Sequence, residues 1–181
     1  GGSSLCPEVL QRTFGKQDGF PELHVLDSTV PAQIQAIVQK IDLSRTLCIV
    51  SSKSGGTIEP NALLQFFTAR LQSVLGTHQV GERFIAITDP GTTLDQLAQT
   101  EHFRHIVHGT PSIGGRFSAL SPFGLLPAAI MGIDVGRFLD STLRMVQSCA
   151  ASVPPEANPG VTLGLIWGSL AQHAQNGRDK I

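Results

Sequence analysis

Apolar and polar positions alternate along this chain with two different periods. Short unbroken apolar runs mark buried strands, and apolar residues three or four apart mark helix faces. Strands are expected at residues 22–26, 46–50, 83–88 and 105–107. A helix is expected at 31–41, where Ile34, Ile37, Val38 and Ile41 share one face. Further helices are expected to start near Pro7 and to span 57–75 and 93–100. Beyond Gly115 the pattern becomes helical throughout, with helices at 122–131, 135–150 and 158–175. Pro154 and Pro155 break the chain between the last two.

Strands alternating with helices predict an α/β fold, with a parallel sheet covered on both faces. Ligands of such sheets bind beyond the carboxyl ends of the strands. Two polar strand ends, residues 51–57 and 89–93, fall at that edge. The 181 residues suit one domain with a full core, and 122–181 read as its helical extension.

Composition changes this picture little. Hydrophobic content is 41%, charged content 15% and net charge −1, which suits a soluble globular chain. That balance offers no electrostatic reason for nucleic acid or a membrane surface as partner. Cys6, Cys48 and Cys149 form no paired or zinc-type spacing, so reduced thiols and a cytoplasmic location are expected. The longest apolar stretches, 123–133 and 161–171, are too short to span a bilayer. The opening at Gly1 without a methionine and the stop at Ile181 suggest a piece of a longer protein. Leu163, Leu165, Ile166, Trp167 and Leu170 would then leave an apolar patch on the last helix, prone to self-association.

The candidate chemistry sits first in Ser52, Lys53, Ser54, Gly55, Gly56 and Thr57. This loop joins a strand to a helix start, whose free N–H groups and positive dipole end favour an anion. Three hydroxyls and one lysine would complete a phosphate cradle. The same residues also describe an ordinary turn capped by Ser54 or Thr57. The loop fits neither the Walker A nor the Rossmann pattern, so a small phosphorylated ligand suits it better than a nucleotide. Gly1, Gly2 and Ser3 could form a second backbone wall. Gly114 and Gly115 precede a lone Arg116, whose fork could meet an anion or a developing oxyanion, or simply be solvated. His102, His105 and His108 lack companion ligands, and no metal or cofactor is expected. Asp89 reads as a cap on the turn at Pro90 and Gly91, and Glu59 as a first-turn acid.

Three stretches, in this order, resemble the glucose-6-phosphate isomerase (phosphoglucose isomerase) family. They are residues 1–7, from Gly1 and Gly2 to Cys6 and Pro7; residues 52–61, from Ser52 to Asn61; and residues 114–124, which carry Gly114, Gly115, Arg116, Phe117 and Ser118. Residues 83–90 and 103–111 look like the isomerase half of bifunctional transaldolase/phosphoglucose isomerase proteins. The resemblance implies a sugar-isomerase (SIS) domain, a flavodoxin-like three-layer α/β/α sandwich with C-terminal helices. It covers the whole chain as a single SIS domain, but only part of the family's length.

By resemblance, Ser52, Lys53, Ser54 and Thr57 would hold the phosphate of a sugar phosphate, with Gly2, Ser3 and Gly115 lining the same pocket. Arg116 would steady the negative charge of a cis-enediolate between glucose 6-phosphate and fructose 6-phosphate. Gly56 stands where the loop more often carries threonine, and Cys6 where glycine is usual. The family's glutamate base, ring-opening histidine and late lysine match no residue here, so the chain alone is expected to lack the catalytic base. A homodimer is implied for the full-length protein. The rival is a stand-alone regulatory SIS module that senses a phosphosugar, but such modules are not expected to carry the Gly114–Ser118 stretch.

Overall fold

Three strands, β1 (Cys48–Ser51), β2 (Phe84–Thr88) and β3 (His105–His108), form one parallel sheet in the order β1-β2-β3. The computed structural model describes residues 2–76 and 80–173. The register pairs Ser51 with Ile87 and Thr88 with His108. Each crossover is helical, through α3 (Ile58–Leu75) and α4 (Thr93–Thr100). Right-handed crossovers in one direction along a sheet put both helices on one face. There Val50, Phe84 and Ala86 pack with Leu64, Leu71, Leu94 and Ala98. Ile85 and Ile87 point to the opposite face and are buried as well. Burial of all five residues of β2 on two faces is what the three-layer α/β/α arrangement requires.

Among the described residues, α1 (Gly2–Phe14), α2 (Pro31–Val38) and α5 (Pro122–Ile130) complete the unit that ends at Asp134. α1 packs against α5 and against the 3-10 turn Gly115–Phe117. The α1 start lies earlier than the sequence pattern suggests. Pro7 lies inside the helix and donates no backbone hydrogen bond there, and the helix around it packs against α5. The Cys6 sulfur fits against Gly124 of α5, where a Cβ would lie 2.8 Å from it.

The second unit holds α6 (Val135–Ser148) and α7 (Pro159–His173). Asn158, buried between them, accepts from the N–H groups of Gly160 and Val161 and donates to the Ala150 carbonyl. That side chain caps α7 and ties its start to the end of α6. Leu163, Leu165, Ile166, Trp167 and Leu170 are exposed. The expected helix tail, residues 174–175, lies outside the described residues. No helix among the described residues is long and apolar enough to cross a membrane.

One predicted element is absent. Residues 22–26 carry no strand; Leu23, His24, Val25 and Leu26 are half-buried but without a ladder. A strand exists only by pairing, and β1 pairs with β2 alone. The remaining strands and helices appear within a few residues of their predicted bounds. Leu71 is fully buried beneath the sheet. Leu71→Ala should lower the unfolding free energy by about 2–5 kcal/mol in urea titration.

Candidate functional site

The carboxyl ends of all three strands converge on the ammonium of Lys53. Its Nζ donates to both carboxylate oxygens of Asp89, at 2.8 and 2.6 Å, and to the Thr110 carbonyl at 2.8 Å. Lys53 follows β1, Asp89 follows β2 and Thr110 follows β3. Extending the Ser51–Ile87 register by two residues sets Lys53 opposite Asp89. The backbone supports the same alignment. Ser52 N–H donates to Ile87, Asp89 N–H to Lys53 and Gly109 N–H to Thr88. A Cβ at Gly109 would lie 2.6 Å from both the Asp89 carboxylate and the Phe123 ring, so only glycine lets the three meet.

The loop after β1 is held from its other side. Gly55 has φ +69°, and a Cβ there would meet the Leu94 N–H and the Thr92 side chain within 3 Å. Its carbonyl accepts from Thr93 Oγ1 at 2.9 Å. Loop and α4 start therefore touch backbone to backbone. Thr57 is the N-cap of α3, yet its hydroxyl caps no N–H. It meets the buried Ser52 hydroxyl at 3.4 Å. Ser54 is exposed and receives only a long contact from Gly56 N–H, at 3.4 Å. Hydroxyls not spent on capping are available to a ligand. A side chain at Gly56 would enter open space.

Ser52, Lys53, Ser54 and Thr57 line one cavity of about 1310 Å³, together with Gly115. Ser4, Glu59 and Asp89 line it too. Of the predicted residues, these five are brought together. Arg116 is not among the lining residues; it is exposed on the 3-10 turn that Gly115 opens. Gly2 and Ser3 lie in the first turn of α1, and their side chains lie outside the described residues. Asp89 is not the turn cap that the sequence suggested, because its carboxylate is committed to Lys53. Its signal was an acid and a base directly after neighbouring strands.

A second polar tie crosses the same edge. Asp95, 5% exposed, accepts from Gly91 N–H at 2.7 Å and from Gln99 at 3.1 Å, and meets His108 Nε2 at 3.0 Å. Thr92 caps α4 by accepting from Asp95 N–H. The His108 hydrogen bond, then that of Gly91, holds the Asp95 carboxyl below its ordinary 3.8. The three histidines do not converge: His102 has φ +51° after α4, and His105 and His108 are exposed on β3. Burial raises the Cys48 thiol to about 11, which keeps it a neutral core group.

Gly55→Ala should destabilise the fold by about 2 kcal/mol, from positive φ and the contact with α4 together. Urea unfolding of the variant measures it. Asp95 is depressed when folded, so its contribution is present above the ordinary carboxylate range and lost on acidification. The stability gap between the natural chain and Asp95→Asn should accordingly shrink from about pH 6 to about pH 3, in urea titrations across that range.

Comparison with known proteins places the chain in a family. A family model described as phosphoglucose isomerase matches residues 1–176. A glucose-6-phosphate isomerase of Trichormus variabilis is 36% identical over 171 residues, 92% of this chain and 31% of its own length. That of Thermosynechococcus vestitus is 35% identical over 181 residues, 98% of this chain and 33% of its own. The chain thus spans about a third of the length of the curated relatives it matches. Among solved structures, a hypothetical protein of Thermus thermophilus superposes with a TM-score of 0.83 at 32% identity, covering 95% of this chain and 40% of that one. A glucose-6-phosphate isomerase of Chlamydia trachomatis gives 0.63 at 30%, covering 83% and 28%. The chain belongs to the phosphoglucose isomerase family.

Proposed function

We propose that this chain is the phosphate-binding SIS domain of a glucose-6-phosphate isomerase, which interconverts glucose 6-phosphate and fructose 6-phosphate. One observation carries the reading. Ser52, Ser54 and Thr57 line one cavity together with Gly115 of the Gly114–Ser118 stretch, and the start of α3 carries no side-chain cap. The N–H groups of that helix start and three hydroxyls suit a phosphate dianion. The backbone of Lys53 belongs to the same loop, and the family resemblance adds Gly2 and Ser3 as residues that would line the pocket. Arg116 steadies the enediolate when its turn brings the guanidinium to the cavity.

The proton moves between carbons 1 and 2 of the sugar, which requires a base within hydrogen-bond reach. The family's glutamate, histidine and lysine match no position here. The isolated chain therefore binds substrate without turning it over, and the whole protein works as a cytoplasmic homodimer.

Calorimetric titration with fructose 6-phosphate, with fructose as control, tests the reading. The expected result is binding that depends on the phosphate, with no isomerase turnover. Ser54→Ala and Thr57→Ala should each weaken it by roughly three- to tenfold, the worth of one lost hydrogen bond. Equal affinity for fructose, or no binding by a folded sample, would overturn the cradle. Robust turnover would overturn the missing base.

A further inference from the structure

Lysine in a phosphate loop is ordinarily read as a positive charge for the phosphate. The geometry here points elsewhere. An ammonium has three N–H donors and no acceptor. Lys53 Nζ has three oxygen partners within 2.8 Å, two on Asp89 and one on Thr110. Its donors are filled, and its charge is matched by a carboxylate. Both side chains are largely withdrawn from water, at 20% and 17% exposure. Reaching a phosphate would cost Lys53 at least one of these bonds. It would also leave Asp89 without its cation in a cavity that Glu59 lines as well.

We infer that Lys53 and Asp89 are positioning residues, which act on the phosphate through the path of the Ser52–Thr57 loop and not by contact. This rests on the phosphate reading proposed above and names how that site is held. The Lys53 side chain leaves the segment after β1, and its ammonium meets Asp89 after β2 and Thr110 after β3. It bridges two strand spacings of about 4.8 Å each. Without it, the Asp89 carboxylate and the Thr110 carbonyl would converge with nothing between them. The loop's own backbone is anchored at the same place, since the Lys53 carbonyl accepts from Asp89 N–H at 3.2 Å. Loss of the tie loosens the loop at its entry, where only the backbone bonds of Ser52 and Lys53 to the β2 strand end remain, while the contacts of Gly55 still hold its far side.

The two roles predict opposite signs. If Lys53 contacts phosphate, Asp89→Asn removes a competing anion and frees the ammonium, so phosphate binds more tightly. If Lys53 acts through Asp89, the same near-isosteric change weakens binding, by roughly tenfold. Lys53→Met should weaken it further, because Asp89 is then left charged beside the anion.

The experiment is a double-mutant cycle on the full 181-residue chain, reading inorganic phosphate affinity by calorimetry. The expected result is that Lys53→Met costs far less in the Asp89→Asn background than alone. An equal cost in both backgrounds, or tighter binding by Asp89→Asn, would overturn the inference. Amide hydrogen exchange at residues 52–57 is measured on the same samples without ligand. Faster exchange in Asp89→Asn, with exchange in α3 unchanged, is expected; unchanged loop exchange would equally overturn it. If the natural chain binds no phosphate, the proposed function fails, and loop exchange alone still decides whether the tie positions the loop.

Discussion

The ammonium of Lys53 is the point on which the functional edge of the molecule depends. Parallel strands end in carbonyls and loops that have no common reason to converge. Here one side chain supplies that reason, by gathering the Asp89 carboxylate and the Thr110 carbonyl from the two neighbouring strand ends. Several local features follow from it. Position 109 has no room for a Cβ because the carboxylate and the Phe123 ring crowd it. The same ring has the Lys53 ammonium 6.0 Å from its centroid, a distance at which the ring face still attracts a cation. The start of α5 is thereby joined to the strand ends, and α5 in turn carries α1.

The polar residues at this edge divide by how fully they are used. Asp89, Asp95, Thr92 and Thr93 each serve the backbone or a fixed ion pair. Ser54 and Thr57 make only long contacts. A group already holding the fold costs energy to redirect toward a ligand, whereas a loosely engaged hydroxyl at a helix start does not. On the proposed reading, the division separates the groups left for a phosphate from those that hold the fold, without reference to residue type. It also explains why the single lysine, the most obvious anion ligand by type, is the least available by geometry. On the same reading, electrostatic help for a phosphate comes from helix N–H groups, whose orientation is fixed before the ligand arrives.

Elements whose evidence is local were legible in the sequence. The helix at 93–100 was read to its bounds, because Thr92 and Asp95 form its cap within four residues. The strand ending at Thr88 was legible because it is apolar on both faces, as a central parallel strand must be. Residues 22–26 looked equally strand-like and are not a strand, since pairing is not encoded in the segment itself. Asp89 was misread for a related reason. Its neighbours in sequence, Pro90 and Gly91, describe a turn, and its true partner lies 36 positions away. Only the register of β1 on β2 brings that partner near. Of the site, the Ser52–Thr57 loop was therefore visible as a loop, and the ion pair that fixes it was not.

On the proposed reading, anchoring and charge stabilisation have different structural supports within one unit. The phosphate loop is preorganised at both ends, by Lys53 at its entry and by the contact of Gly55 with α4 beyond it. Arg116 has no comparable hold. Gly115 lines the cavity, but the guanidinium one residue later is exposed on a three-residue turn, and the adjoining Phe117 is 80% exposed. A large apolar side chain so placed contributes little to fixing the turn that carries it. Preorganisation is what makes an electrostatic contact effective in a transition state. Affinity for the phosphate is thus a property of the sheet edge described here. The contribution of Arg116 to isomerisation depends instead on whatever packs against Phe117 and orders the 115–117 turn.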